Sequence, residues 1–204
     1  MVLLFVPRSG STYLACLLAQ TGLMGFPLEY FAPDNLLMLS KRLRGLTADS
    51  IRPLFRVRTS PNGVFSFKWN GDFQRMTYGP AIRAQLHPNY TIIIDREAHL
   101  AQAQSYARVL RTSEWIKLKG QTLDVANIPE PGSAEVSEAE RVLEVKRAEL
   151  ESIASEFKVP TMRIMYEQLL DEPIGIIQTV LKFCGQGASV EVDPSKVPVV
   201  RQSR

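Results

Sequence analysis

The feature that most constrains the fold is an uninterrupted apolar run, Val2-Leu3-Leu4-Phe5-Val6, followed at once by Pro7-Arg8-Ser9-Gly10-Ser11-Thr12. A strand without polar alternation has both faces buried, as in a parallel sheet covered by helices. Such a sheet needs a crossover helix after each strand, and the sequence supplies one. Leu14, Leu17 and Leu18 share one face of a helix expected over residues 12–21, and Gly22 provides a C-terminal stop. A second run, Tyr90-Thr91-Ile92-Ile93-Ile94, opens onto Asp95-Arg96. It is β-branched and uncharged, which marks it as the clearest strand of the chain.

Between and after these runs the pattern repeats. Helices are expected over residues 35–44, 79–85 and after Arg96 to about Thr112, and strands over 64–69 and 159–165. Two prolines and a glycine make residues 127–135 a loop. Ser137-Glu138-Ala139-Glu140 reads as a capping box opening a charged helix to about Phe157. That helix serves either as an amphipathic packing helix or as a dimer contact. Pro173 starts a further helix ending at Gly185, and residues 197–204 show no element. Alternating strands and helices predict a three-layer α/β fold around a central, mostly parallel sheet. Ligands of such sheets bind beyond the carboxyl ends of the strands, where Arg8 and Arg96 both fall.

Composition sets the outer bounds. The chain has 204 residues, 45% of them hydrophobic, with 24 Lys plus Arg against 21 Asp plus Glu. These values predict one folded domain over residues 1–204 and exclude a disordered or low-complexity chain. A net charge of +3 gives no reason to expect nucleic acid, but leaves room for a local basic pocket. Cys16 and Cys184 stand far apart, as free thiols of a reducing, cytoplasmic compartment do. Two histidines and two scattered cysteines make no zinc site, so no metal is expected. No apolar run approaches the ~20 residues of a membrane span. The first six residues read as a strand, not as a signal peptide.

The turn at residues 7–12 is the first candidate site. A strand-to-helix turn aims several backbone N–H groups at one point, and the helix dipole adds positive charge there. Gly10 permits close backbone approach, Ser9, Ser11 and Thr12 offer hydroxyls, and Arg8 adds a fixed charge. The turn is thus P-loop-like and suits a phosphate. It is not a Walker A loop, since it has no lysine and only one glycine. A plain turn whose Ser and Thr cap the helix explains the same residues equally well.

Three blocks resemble the trehalose 2-sulfotransferase family of bacteria. Pro7-Arg8-Ser9-Gly10-Ser11-Thr12-Tyr13-Leu14, then Thr21-Gly22, then Pro27-Leu28-Glu29-Tyr30-Phe31 are similar to its P-R-[ST]-G-S-T-x-L, T-G and P-x-E-[YF]-F. Arg96-Glu97-Ala98-His99-Leu100-Ala101-Gln102-Ala103-Gln104-Ser105, with Thr112-Ser113-Glu114-Trp115 after it, is similar to R-x-D-[KR]-x-A-Q-A-x-S and T-x-x-W. Tyr166-Glu167-Gln168-Leu169 is like the Y-E-x-L seen late in many sulfotransferases.

The resemblance implies a sulfotransferase whose donor is 3′-phosphoadenosine 5′-phosphosulfate and whose acceptor is a hydroxyl of a carbohydrate, glycolipid or related small metabolite. Carried over, Arg8, Ser9, Gly10, Ser11 and Thr12 hold the 5′-phosphosulfate, Arg96 and Ser105 the 3′-phosphate, and Glu29 is the general base. Val200-Arg201-Gln202-Ser203 resembles a basic stretch near the family's C-terminus, which adds Arg201 to the donor site. A homodimer is common in related enzymes. The chain departs from the pattern at Asp95, where members have a second arginine, and at Ala98 and His99, where they have an acid and a base. It also stops where members usually continue.

The residues themselves leave alternatives. Glu29 lies among Phe26, Pro27, Leu28, Tyr30 and Phe31, a setting that suits a partly buried base or a glutamate pairing at a loop edge. Lys68 faces either the pocket or solvent. Arg96 serves either a ligand or a salt bridge to Asp95 or Glu97. Trp69 and Trp115 either stack on a ligand or fill the core. Two further functions compete with sulfonate transfer: a metal-independent phosphotransferase, and a nucleotide-binding module without catalysis.

Overall fold

A computed structural model describes residues 1–120, 129–187 and 190–199. Four strands, β1 (Val2–Phe5), β2 (Phe67–Trp69), β3 (Thr91–Asp95) and β4 (Thr161–Met165), form one sheet in the order β2-β1-β3-β4. Every pairing is parallel, with Leu3 opposite both Lys68 and Ile92, and Ile93 opposite Arg163. Helices flank the sheet, giving the expected α/β architecture. β1 and β3 are buried throughout, as their unbroken apolar runs require, whereas the edge strand β4 buries only Ile164 fully.

The helices are α1 (Ser11–Gln20), α2 (Pro33–Arg42), α3 (Arg52–Arg58), α4 (Gly71–Arg75), α5 (Gly79–Arg83), α6 (His99–Thr112), α7 (Ser133–Phe157), α8 (Tyr166–Asp171) and α9 (Pro173–Phe183). Four of them, α3, α4, α5 and α8, have seven residues or fewer, too short to show a periodic apolar face in sequence. Two expected boundaries shift for physical reasons. The strand expected over residues 64–69 pairs only over Phe67–Trp69, because its partner β1 begins at Val2, opposite Phe67. The helix expected from Ser137 begins at Ser133. Glu135, not Glu140, reaches back to the start, accepting the Gly132 N–H at 2.8 Å. The loop expected over residues 127–135 therefore ends at Gly132, and its residues 127 and 128 lie outside the described residues.

One cluster of buried side chains runs from Met1 to Val199. Trp69 is fully buried in it, edge-on to Phe31, Phe67 and Phe73, so it fills the core and does not meet a ligand. Cys16 and Cys184 are free thiols. Among the described residues no helix is long and apolar enough to cross a membrane.

Candidate functional site

A cavity of about 900 Å³ opens beyond the carboxyl ends of β1, β2 and β3. Its size falls in the range of small-molecule sites. Among the described residues six basic side chains line it, namely Arg8, Arg58, Lys68, Arg96, Arg108 and Lys117, against two acidic ones, Glu29 and Asp72. Asp72 is already occupied by Lys146 at 2.6 Å and Arg75 at 2.7 Å. The cavity therefore carries an excess of positive charge and favours an anionic occupant.

The turn after β1 enters α1 at its N-cap, Gly10, which takes φ 78° and makes no side-chain cap. The simple capping role for Ser11 and Thr12 is thus not what the turn uses. The first amide bonded in the helix is that of Leu14, to the Gly10 carbonyl at 3.1 Å. By helix geometry the earlier amides point out of the helix end, and Gly10, Ser11 and Thr12 line the cavity there. Gly10 is required twice over. Its φ is left-handed, and a Cβ would overlap the ring of Tyr166, the first residue of α8. Ser9 differs from its neighbours: it is fully buried, its hydroxyl has no partner among the described residues, and its amide donates to Val6 O at 3.3 Å.

Arg8 takes φ 64°, a strained position for a residue with a side chain. Its Nε donates to Ser105 Oγ at 2.9 Å and its Nη1 to the Trp115 carbonyl at 2.5 Å. Burial, with the nearby charge of Arg96, lowers its pKa to about 10. Ser105 and Arg96, expected together at one phosphate, are thus engaged separately. Ser105 orients Arg8. Arg96 is fully buried, with its guanidinium 5.5 Å from the Tyr166 ring centre and its Nε 3.7 Å from Glu167 Oε1. Burial lowers its pKa, with Glu167 and Tyr166 opposing. Among the described residues its acidic partner is Glu167, neither Asp95 nor Glu97. Asp95 is structural: it accepts the Arg96 amide at 2.8 Å and Arg147 Nε at 3.1 Å.

Glu29 is brought in by backbone pairing. Leu28 bridges to Phe67 at the edge of β2, and its carbonyl accepts the Lys68 amide at 2.9 Å. The Glu29 carbonyl accepts from Asn35 Nδ2 at 2.8 Å, fixing the following turn. The carboxylate does not sit among apolar groups alone. Its Oε1 lies 2.5 Å from Lys68 Nζ, which is also 3.4 Å from Thr12 Oγ1 and 4.3 Å from the Phe5 ring centre. Lys68 is 2% exposed, so it faces the pocket and not solvent. Trp115 is half-exposed at the cavity, tilted against Tyr106.

Sequence reasoning missed Arg58, Arg108 and Asn70, all on the cavity wall. Arg58 and Arg108 look like ordinary surface charges in sequence, and only the packing of their helices shows otherwise. Arg201 lies outside the described residues. Among the described residues no group of three His, Cys, Asp or Glu side chains could hold a metal ion. No protein-family model matches the chain, and no curated protein matches it significantly.

Proposed function

We propose that this protein transfers a sulfonate group from 3′-phosphoadenosine 5′-phosphosulfate to a hydroxyl of a carbohydrate, glycolipid or related small metabolite. One observation carries the reading: Lys68 links Thr12, at the open end of α1, to the Glu29 carboxylate through contacts of 3.4 and 2.5 Å. An anion-binding helix end and a candidate base thus share one buried ammonium, as transfer of an anionic group to a hydroxyl requires.

The donor supplies a sulfonate on a phosphate leaving group. The amides at the start of α1 and the Arg8 guanidinium bind its anionic oxygens, a P-loop-like role for the turn. Ser105 and the Trp115 carbonyl hold Arg8 in place for this. Lys68 offsets the charge that develops on the leaving oxygen. Glu29 takes the proton of the acceptor hydroxyl as the new O–S bond forms. The old S–O bond breaks, and its electron pair stays on the departing phosphate. Arg96, buried in the cavity wall, adds positive charge and lies against Tyr166, the ring that packs on Gly10.

The Lys68–Glu29 pair also suits a module that binds the nucleotide without transfer, because the carboxylate is already occupied. Two measurements separate the readings. Adenosine 3′,5′-bisphosphate should raise the melting temperature, since a ligand at 100 times its Kd stabilises by about 2.7 kcal/mol. Absence of any shift at millimolar ligand overturns both. Glu29→Gln should retain that shift and abolish donor-dependent sulfation of a metabolite or lipid extract, read by mass spectrometry. Unchanged transfer removes Glu29 from its role.

A further inference from the structure

We infer that the hydroxyl acceptor also carries an anionic group, a carboxylate or a phosphate monoester, which Arg58 receives. This rests on the sulfotransfer reading and narrows its substrate class. Arg58 ends α3 and lines the same cavity as Glu29 and Lys68. Its guanidinium carbon lies 6.0 Å from the Phe26 ring centre and 5.9 Å from that of Tyr30. Tyr30 follows Glu29 directly, and its hydroxyl donates to the Phe26 carbonyl at 2.5 Å, joining both rings into one wall.

What sets Arg58 apart is that it has neither the carboxylate partner of Lys68, Arg96 and Arg108 nor the hydrogen bonds that hold Arg8, and unlike the exposed Lys117 it is partly buried. Lys68 pairs with Glu29, Arg96 with Glu167 and Arg108 with Glu130, while Arg8 bonds Ser105 and Trp115. Among the described residues no carboxylate lies within ion-pair distance of Arg58, and its Nε is buried with no hydrogen-bond partner. A guanidinium stays charged at any physiological pH, and a buried donor left unpaired is costly. Aromatic faces hold such a group in place but do not use its N–H donors. A guanidinium that lines a cavity without a counter-charge matches a carboxylate or phosphate.

The arrangement is also fixed from behind. Ser60 Oγ and Asn62 Nδ2 donate to the Leu23 carbonyl at 3.2 and 2.9 Å. Gly25, at φ 63°, lets the chain approach so closely that a Cβ would stand 3.0 Å from the Arg58 carbonyl. The segment carrying Phe26 and the end of α3 are therefore held as a pair. Arg58 works against Phe26 and Tyr30, whereas Arg8 works against α6 and Trp115, so the two cations serve different parts of the cavity.

The test titrates matched pairs of probes by calorimetry: glucose against glucuronate and glucose 6-phosphate, trehalose against trehalose 6-phosphate, and glycerol against glycerol 3-phosphate. Each is measured with and without saturating adenosine 3′,5′-bisphosphate. The expected result is a preference of about tenfold or more for the charged member of at least one pair, the size of a charge-assisted hydrogen bond. Arg58→Gln should remove it, and Arg58→Lys should keep part of it, with bisphosphate affinity within about twofold of the parent in both. The inference is overturned if no pair shows a charge preference, or if Arg58→Gln weakens the bisphosphate and spares the charged probe. Failure of the donor reading looks different: the bisphosphate itself does not bind, while the probes still report on Arg58.

Discussion

Lys68 Nζ lies 2.5 Å from Glu29 Oε1, across 39 residues of sequence. Neither side chain alone is informative. The pair forms because Leu28 adds to the edge of β2, which sets Glu29 beside the strand residue that carries the ammonium. Lys68 is nearly fully buried, whereas the Glu29 side chain is 34% exposed. The lysine therefore depends on the glutamate for its charge balance, while the glutamate keeps an open side toward the cavity.

That asymmetry predicts the stability of single and double variants. Glu29→Gln leaves a buried ammonium without its counter-charge and should cost about 1–3 kcal/mol in urea unfolding. Lys68→Met should cost less, because Glu29 regains water. The double variant should recover part of the loss, with a coupling of about 0.5–3 kcal/mol. Strictly additive costs would show that the pair contributes nothing.

Arg8 carries a second prediction. Its pKa falls to about 10 because it is buried and faces Arg96, so the free protein bears a cost for holding this charge. Arg8→Met should weaken adenosine 3′,5′-bisphosphate about tenfold or more, the loss of a charge-assisted hydrogen bond. The melting temperature of the free protein should fall by less than the ligand-induced shift that is lost. Ser105→Ala should weaken the ligand less than Arg8→Met does, since Ser105 acts by orienting Arg8. Calorimetry on the three proteins decides the order, and an equal or larger effect of Ser105→Ala would place Ser105 on the ligand itself.

The sheet was legible because β1 and β3 are written as unbroken apolar runs, and the position of Arg8 and Arg96 at their ends follows from that alone. The turn at Gly10 was legible for the same reason. What the sequence concealed are relations made by packing. The packing of Tyr166 into the space a Cβ at Gly10 would need joins residues at different strands' ends, and the tie between Ser105 and Arg8 joins α6 to the first turn. The start of α7 was misplaced because two acid-bearing cap patterns follow each other, and only the Glu135 contact to Gly132 distinguishes them. Arg58 gave no signal, since its aromatic neighbours come from another segment.

Glu167 sets a pH dependence. Burial works to raise its pKa, but the amides of Glu97, Glu167 itself and Ala98, with the charge of Arg96, outweigh burial and hold it below the ordinary 4.5. The unfolded chain then binds the proton first as pH falls. The stabilisation is complete above the unfolded value and is lost as pH drops through the folded one. Glu167→Gln should lower stability at neutral pH and flatten the acid limb of a stability–pH curve below about pH 4.5. A parent-like acid limb in the variant would assign that limb to other carboxylates.

The contact between Gly10 and Tyr166 gives the last prediction. Gly10→Ala meets two separate obstacles, a left-handed φ of 78° and the Tyr166 ring in the space a Cβ needs. The backbone part alone costs about 1–2 kcal/mol, and the ring must also move. Tyr166→Ala removes the second obstacle but not the first, so Gly10→Ala should cost less in that background than in the parent. Chemical denaturation of the two single variants and the double variant measures the difference. Bisphosphate binding should still be weakened in Gly10→Ala/Tyr166→Ala, because the strained turn shifts the amides that open α1. Full recovery of binding in the double variant would show that Gly10 serves only to make room for Tyr166, and that the turn grips no ligand.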